Sequence, residues 1–133
     1  MARGLEAVKL LLDTHAFLWV ALLQRRLSPA AVDAIEDPGN DVFVSVASAW
    51  EIEIKRAKGK LPVPDKLREA LTELRFLDLP VTLEHVLKVE SLPRHHRDPF
   101  DRILIAQAQL EGMTLVTSDR EVRHYPVATL PAS

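Results

Sequence analysis

Val8-Lys9-Leu10-Leu11-Leu12-Asp13-Thr14-His15 is the stretch on which the fold turns. The run of leucines has no polar alternation, so it does not suit a strand with one face in water. It suits a parallel strand covered on both faces. A carboxylate closes it. In an open α/β sheet the carboxyl end of a strand borders the crevice where ligands bind, so Asp13 is a candidate site residue. The plainer alternative is a helix cap, because Asp readily accepts hydrogen bonds from the first amides of a helix.

Working outward, the pattern alternates between strand and helix. The first strand is expected over 8–13 and a helix over 14–23, with Phe17, Leu18, Ala21 and Leu22 at core spacing. Ser28-Pro29 is an N-cap followed by proline at the first helical position, opening a helix over 29–36 that Asp37-Pro38-Gly39-Asn40 ends. A β-branched segment at 41–46 is the second strand, and a helix follows over 47–57 until Lys58-Gly59-Lys60. The stiff connector Leu61-Pro62-Val63-Pro64 cannot be helical, and Asp65 is expected to cap a helix running to Leu74. Strands at 76–81, 114–117 and 127–130 are interleaved with helices from Thr82 and over 100–111 and with a helical turn at 118–122. This alternation predicts one three-layer α/β/α domain over residues 1–133, with a mainly parallel five-stranded sheet.

The bulk numbers narrow the function classes. A chain of 133 residues with 47% hydrophobic content can bury a sizeable core without staples. It has no cysteine, which removes disulfides, thiolate metal sites and thiol nucleophiles. The first residues lack the apolar core of a signal peptide, and no apolar run is long enough for a membrane span, so a cytoplasmic location is expected. Seventeen basic and 19 acidic residues give a net charge of -2, without the basic surplus that many nucleic-acid binders carry. Acids gathered at a metal would mask basic patches elsewhere.

Further acids stand where Asp13 stands, near strand ends or helix starts. Glu51 follows the second strand in Ser48-Ala49-Trp50-Glu51; it fits a capping box with Ser48 or an i,i+4 pair with Lys55. If the helix begins earlier, at Ser45 or Val46, Glu51 instead projects from its first turns towards the strand end. Asp98-Pro99-Phe100-Asp101 starts the most apolar helix. Asp98 is a good N-cap there, and Asp101 lies in the first turn against an apolar face, so Asp101 is favoured as the site residue with Asp98 as the alternative. Asp119 follows the fourth strand in Thr117-Ser118-Asp119, where Ser118 and Glu121 offer another capping box. Such acids, if gathered, repel one another unless a cation joins them. Magnesium or manganese prefers carboxylate and water oxygens, and it can activate a water and clamp a phosphoryl group. Thr14, Ser45, Thr117 and Ser118 would serve as water or phosphate partners, or as caps and turn residues.

The histidines do not make a zinc site: His95 and His96 are adjacent, and His15, His85 and His124 lack ligand spacing. Arg94-His95-His96-Arg97 and Lys55-Arg56-Lys58-Lys60 are basic stretches that suit a phosphate backbone or simply a solvated surface. Trp19 and Trp50 are expected in the core or at a dimer interface.

Four motifs in order carry a resemblance. They are Leu11-Leu12-Asp13-Thr14-His15-Ala16-Phe17-Leu18-Trp19; Ser45 with Ser48-Ala49-Trp50-Glu51-Ile52 and Lys55; Asp98-Pro99-Phe100-Asp101-Arg102-Ile103-Leu104-Ile105-Ala106-Gln107-Ala108; and Leu115-Val116-Thr117-Ser118-Asp119. Together they resemble PIN-domain proteins, specifically VapC-type toxins of bacterial toxin–antitoxin pairs, over residues 8–130. The resemblance implies a magnesium- or manganese-dependent endoribonuclease acting on structured RNA. It implies a strand order 3-2-1-4-5 and an acidic quartet at Asp13, Glu51, Asp101 and Asp119. It also implies a homodimer and a cognate antitoxin that inserts a segment into the acidic site. Two other readings compete: a haloacid-dehalogenase-like phosphatase, disfavoured by His15 two positions after Asp13, and an inactive PIN-fold module that binds RNA or antitoxin.

Overall fold

A computed structural model of the chain describes residues 7–23, 26–59, 62–93 and 98–133. Five strands, β1 (Lys9–Leu12), β2 (Asp41–Ser45), β3 (Leu77–Leu79), β4 (Thr114–Thr117) and β5 (Thr129–Pro131), form one sheet in the order β3-β2-β1-β4-β5. Every neighbouring pair is parallel, as the alternation and the resemblance lead one to expect. Six helices surround it: α1 (Thr14–Ala21), α2 (Pro29–Glu36), α3 (Val46–Lys58), α4 (Leu67–Leu74), α5 (Leu83–Ser91) and α6 (Pro99–Glu111). Among the described residues no helix is long and apolar enough to cross a membrane.

β1 is the central strand because its residues bury on both sides. Successive strand side chains point to opposite faces. Leu10 and Leu12 therefore pack with Phe17, Ala31 and Phe76 on one face, and Leu11 packs with Leu104, Ile105 and Leu115 on the other. Each such fully buried leucine contributes about 1.5–3 kcal/mol. Leu12 aligns with Val44 of β2 and Val116 of β4, which brings the carboxyl ends of the three strands level.

The boundaries shift where local chemistry dictates. β1 ends at Leu12, although the Asp13 amide still donates to the Val116 carbonyl at 3.0 Å. β3 stops before Pro80, which has no N–H for a ladder. Asp65 does not cap α4. The cap position is Lys66, without a side-chain bond, and a carboxylate one residue further out misses the amides a cap serves. Gly59 ends α3 at φ +63°, a left-handed turn that glycine adopts without a Cβ penalty.

His85 has a structural role. Its Nδ1 accepts from the Thr82 amide at 3.0 Å, while Thr82 Oγ1 accepts from the His85 amide, a capping box with His in place of Glu. With Nδ1 accepting, the ring proton sits on Nε2, 2.8 Å from Glu111 Oε2.

Candidate active site

β1 is flanked by β2 on one side and β4 on the other, so the winding direction reverses between β1 and β4. A crevice opens at such a switch point, at the carboxyl ends of the strands. Asp13 leaves β1 there, and Thr117 ends β4, two residues before Asp119. The Asp13 side chain caps α1, with Oδ1 accepting from the Ala16 amide at 2.8 Å, and the residue is only 8% exposed. Thr117 links the two acids. Its side chain lies close enough to Asp13 to favour the charged carboxylate, and its Oγ1 accepts from the Asp119 amide at 3.0 Å.

Burial pushes the Asp13 carboxyl above the usual carboxylate range. The hydrogen bond from the Ala16 amide, the neighbouring Thr117 side chain and the nearby His15 pull it back, and the charge of Asp119 pushes it up again. The two carboxylates thus share one electrostatic neighbourhood. Asp119 itself caps the 3-10 turn Arg120–His124, with Oδ1 accepting from the Glu121 amide at 2.9 Å.

Glu51 reaches the same end of the sheet from α3. That helix begins at Val46, capped by Ser45 Oγ accepting from Ala47 N at 3.0 Å, so Ser48 lies inside the helix and is not a cap. Thr14 Oγ1 donates to Glu51 Oε1 at 2.6 Å, across 37 residues of sequence. Lys55 Nζ lies 3.3 Å from Glu51 Oε2, so the i,i+4 pair forms as well. The carboxylate is held from two sides.

The third motif starts α6. Asp98 Oδ1 accepts from the Phe100 amide at 2.8 Å and the Asp101 amide at 3.4 Å, while Asp101 stands in the first turn where the helix dipole favours an anion. α6 packs on α3, and Asp98 and Glu51 line one surface depression. The structure therefore brings Asp13 and Asp119 together and ties Glu51 to the residue after Asp13. Asp98 shares its depression with Glu51, and Asp101 follows Asp98 in the first turn of α6 without being brought against Asp13 or Asp119. Among the described residues, no three His, Asp or Glu side chains close into a metal cluster. The donor chemistry nonetheless fits a hard divalent cation: a desolvated acid stands beside a second acid, and Asp13 has no Lys or Arg ion pair among the described residues.

Some residues matter in ways the sequence did not signal. Arg102 sends Nη1 to the Pro93 carbonyl and Nη2 to the Val89 carbonyl, both at 2.9 Å, with a longer contact to Tyr125 Oη. It fastens the start of α6 to the end of α5, where unpaired carbonyls collect. Trp50 is not in the core: it is 64% exposed and meets Phe100 edge-on, with ring centroids 5.5 Å apart. Trp19 packs partly buried against the core. The basic stretch Arg94-His95-His96-Arg97, and Lys60 of the other one, lie outside the described residues.

The family model of the PIN domain matches residues 10–128. The chain belongs to the PIN-domain family, which removes the haloacid-dehalogenase-like alternative. Its kinship within that family is with the VapC type: Ribonuclease VapC22 of Mycobacterium tuberculosis is 33% identical over 121 residues, covering 86% of this chain and 90% of that protein. VapBC2 from Rickettsia felis, solved bound to a DNA fragment from its promoter, superposes with a TM-score of 0.69 at 13% identity, covering 95% of this chain and 100% of that one. A toxin–antitoxin complex from Klebsiella pneumoniae gives 0.64 at 19% identity, covering 95% and 97%. At these identities the two structures attest the fold.

Proposed function

We propose that the chain is a metal-dependent endoribonuclease that hydrolyses phosphodiester bonds in structured RNA, acting as the toxin of a toxin–antitoxin pair. The observation that carries this reading is the Asp13–Thr117–Asp119 arrangement at the switch point of a PIN fold, in a chain 33% identical to a ribonuclease. Asp13, Glu51, Asp101 and Asp119 would hold magnesium or manganese. The bound ion would supply Lewis-acid polarisation of a phosphoryl oxygen and a lowered pKa for a coordinated water.

The chain's own groups prepare that chemistry. Thr117 orients Asp13 and fixes the backbone of Asp119. Thr14 and Lys55 hold the Glu51 carboxylate. The N-terminus of α6 offsets part of the negative charge through its amides. Attack of hydroxide on phosphorus would displace the 3′ oxygen and leave a 5′ phosphate.

The Klebsiella structure is a toxin–antitoxin complex, and on that likeness we extend a cognate antitoxin to this chain; the family resemblance of the sequence adds a homodimer and a cytoplasmic setting. A groove lined by Trp19, Leu27, Ile35, Leu74 and Phe76 offers apolar area for a partner helix.

The test is cleavage of a structured RNA by the purified chain with manganese, with excess EDTA, and with manganese restored. Cleavage that disappears and returns, with 5′-phosphate ends, supports the proposal. Undiminished cleavage in EDTA overturns the metal requirement, and manganese binding without cleavage would favour the inactive binding module.

A further inference from the structure

α3 presents Glu51, Ile54, Lys55 and Lys58 along one face, at the i, i+3, i+4 and i+7 spacing that aligns side chains. These residues line an open depression whose opposite wall is Asp98, Pro99 and Phe100 at the start of α6. Trp50, one residue before Glu51, stands at its edge with its ring against Phe100.

Three features of this surface need an occupant. Tryptophan is highly buried on average, yet Trp50 is 64% exposed beside a candidate catalytic acid. Lys58 is exposed and forms no ion pair among the described residues. The depression borders the candidate acidic site, because Glu51 lines it and is hydrogen-bonded to Thr14, the residue after Asp13. An aromatic face, a cation and an adjacent acidic metal-type site are together complementary to a nucleotide. The ring stacks a base, the ammonium meets a phosphate, and the neighbouring phosphodiester reaches the carboxylates.

We propose that this depression is a nucleotide subsite of the RNA substrate, in which Trp50, buttressed by Phe100, stacks an unstacked base next to the scissile phosphate while Lys58 contacts a flanking phosphate. The proposal rests on the ribonuclease reading above. It makes Trp50 a determinant of which base flanks the cut, since stacking strength differs among bases.

Binding is measured in the Asp13→Asn background with a fluorescein-labelled RNA hairpin whose seven-nucleotide loop is randomised. Trp50→Ala is expected to weaken binding about tenfold, as loss of one stacked base does, with Trp50→Phe within about threefold. Lys58→Ala is expected to reduce the salt dependence of binding. A Trp19→Phe variant leaves Trp50 as the sole tryptophan, and its fluorescence is expected to be quenched by the hairpin. In the active protein, sequencing of cut ends from the same hairpin pool is expected to lose a base preference beside the cut in Trp50→Ala.

Unchanged affinity and unchanged cut ends in Trp50→Ala, with wild-type cleavage intact, overturn the subsite and leave the nuclease reading standing. Loss of dimer mass in light scattering with unchanged RNA affinity overturns it in favour of a second copy of the chain on this face. Absence of both cleavage and hairpin binding in the wild type removes the nuclease reading and the subsite with it.

Discussion

Thr14 Oγ1 donates a 2.6 Å hydrogen bond to Glu51 Oε1, joining the first residue of α1 to the second turn of α3. The bond crosses from the end of β1 to the helix that leaves β2. It sets the position of Glu51 relative to Asp13. On the nuclease reading proposed above, Thr14 is thus a positioning residue for Glu51. Thr14→Val keeps the shape and removes the donor; it is expected to lower kcat about tenfold with little change in KM, at a stability cost of about 1–3 kcal/mol. Thr14→Ser restores most of kcat. Equal kcat in the valine and serine variants argues against the positioning role.

Asp13 is held at a cost to the fold. Its folded-state pKa lies above the unfolded value, chiefly because burial desolvates the charge. The folded chain therefore binds the extra proton in the window between the two values. Stability falls as pH rises through that window, and the cost is fully present above it. Asp13→Asn keeps an oxygen to cap α1 and removes the charge. In metal-free buffer at neutral pH this variant is expected to melt higher than the wild type, while RNA cleavage falls at least about a hundredfold. Thermal melts with chelator across pH 4 to 8 check the first part, with the wild-type disadvantage shrinking towards the acid end.

Asp98 and Asp101 separate by their local work. Asp98 carries the cap of α6, and asparagine caps nearly as well as aspartate. Asp98→Asn is expected to change stability by less than about 0.5 kcal/mol and cleavage by only a few-fold. Asp101→Asn is expected to lose about a hundredfold in cleavage without unfolding. Single-turnover rates on one RNA measure both, and the reverse order of effects reassigns the third acid to Asp98.

Arg102 is structural although it lies within the acidic motif. Its planar fork serves the carbonyls of both Val89 and Pro93, a span that a single ammonium does not cover. Arg102→Lys is expected to destabilise the fold by about 1–3 kcal/mol, read as a lower urea midpoint with unchanged slope. A midpoint equal to wild type shows that these bonds add nothing net.

Much of the fold was legible because it depends on neighbours along the chain. The buried run at Leu10–Leu12, the Ser28-Pro29 start, the glycine after α3 and the Asp98-Pro99 start each act within a turn or a strand. The acids were legible for the same reason, since each follows a strand or opens a helix. Asp65 shows the limit of such local rules, as it stands one residue outside the cap position of α4.

By itself the sequence determined that the chain forms a doubly covered parallel sheet with acids at strand ends, because periodicity and capping are short-range. Only the tertiary structure decided which acids share a neighbourhood, because that follows from strand order: β4 lies against β1, so Thr117 can bridge Asp13 and Asp119. The same through-space packing pairs Thr14 with Glu51, turns Arg102 towards α5, and stands Trp50 on Phe100 at the surface. Those contacts join residues far apart in the chain, where no local pattern records them.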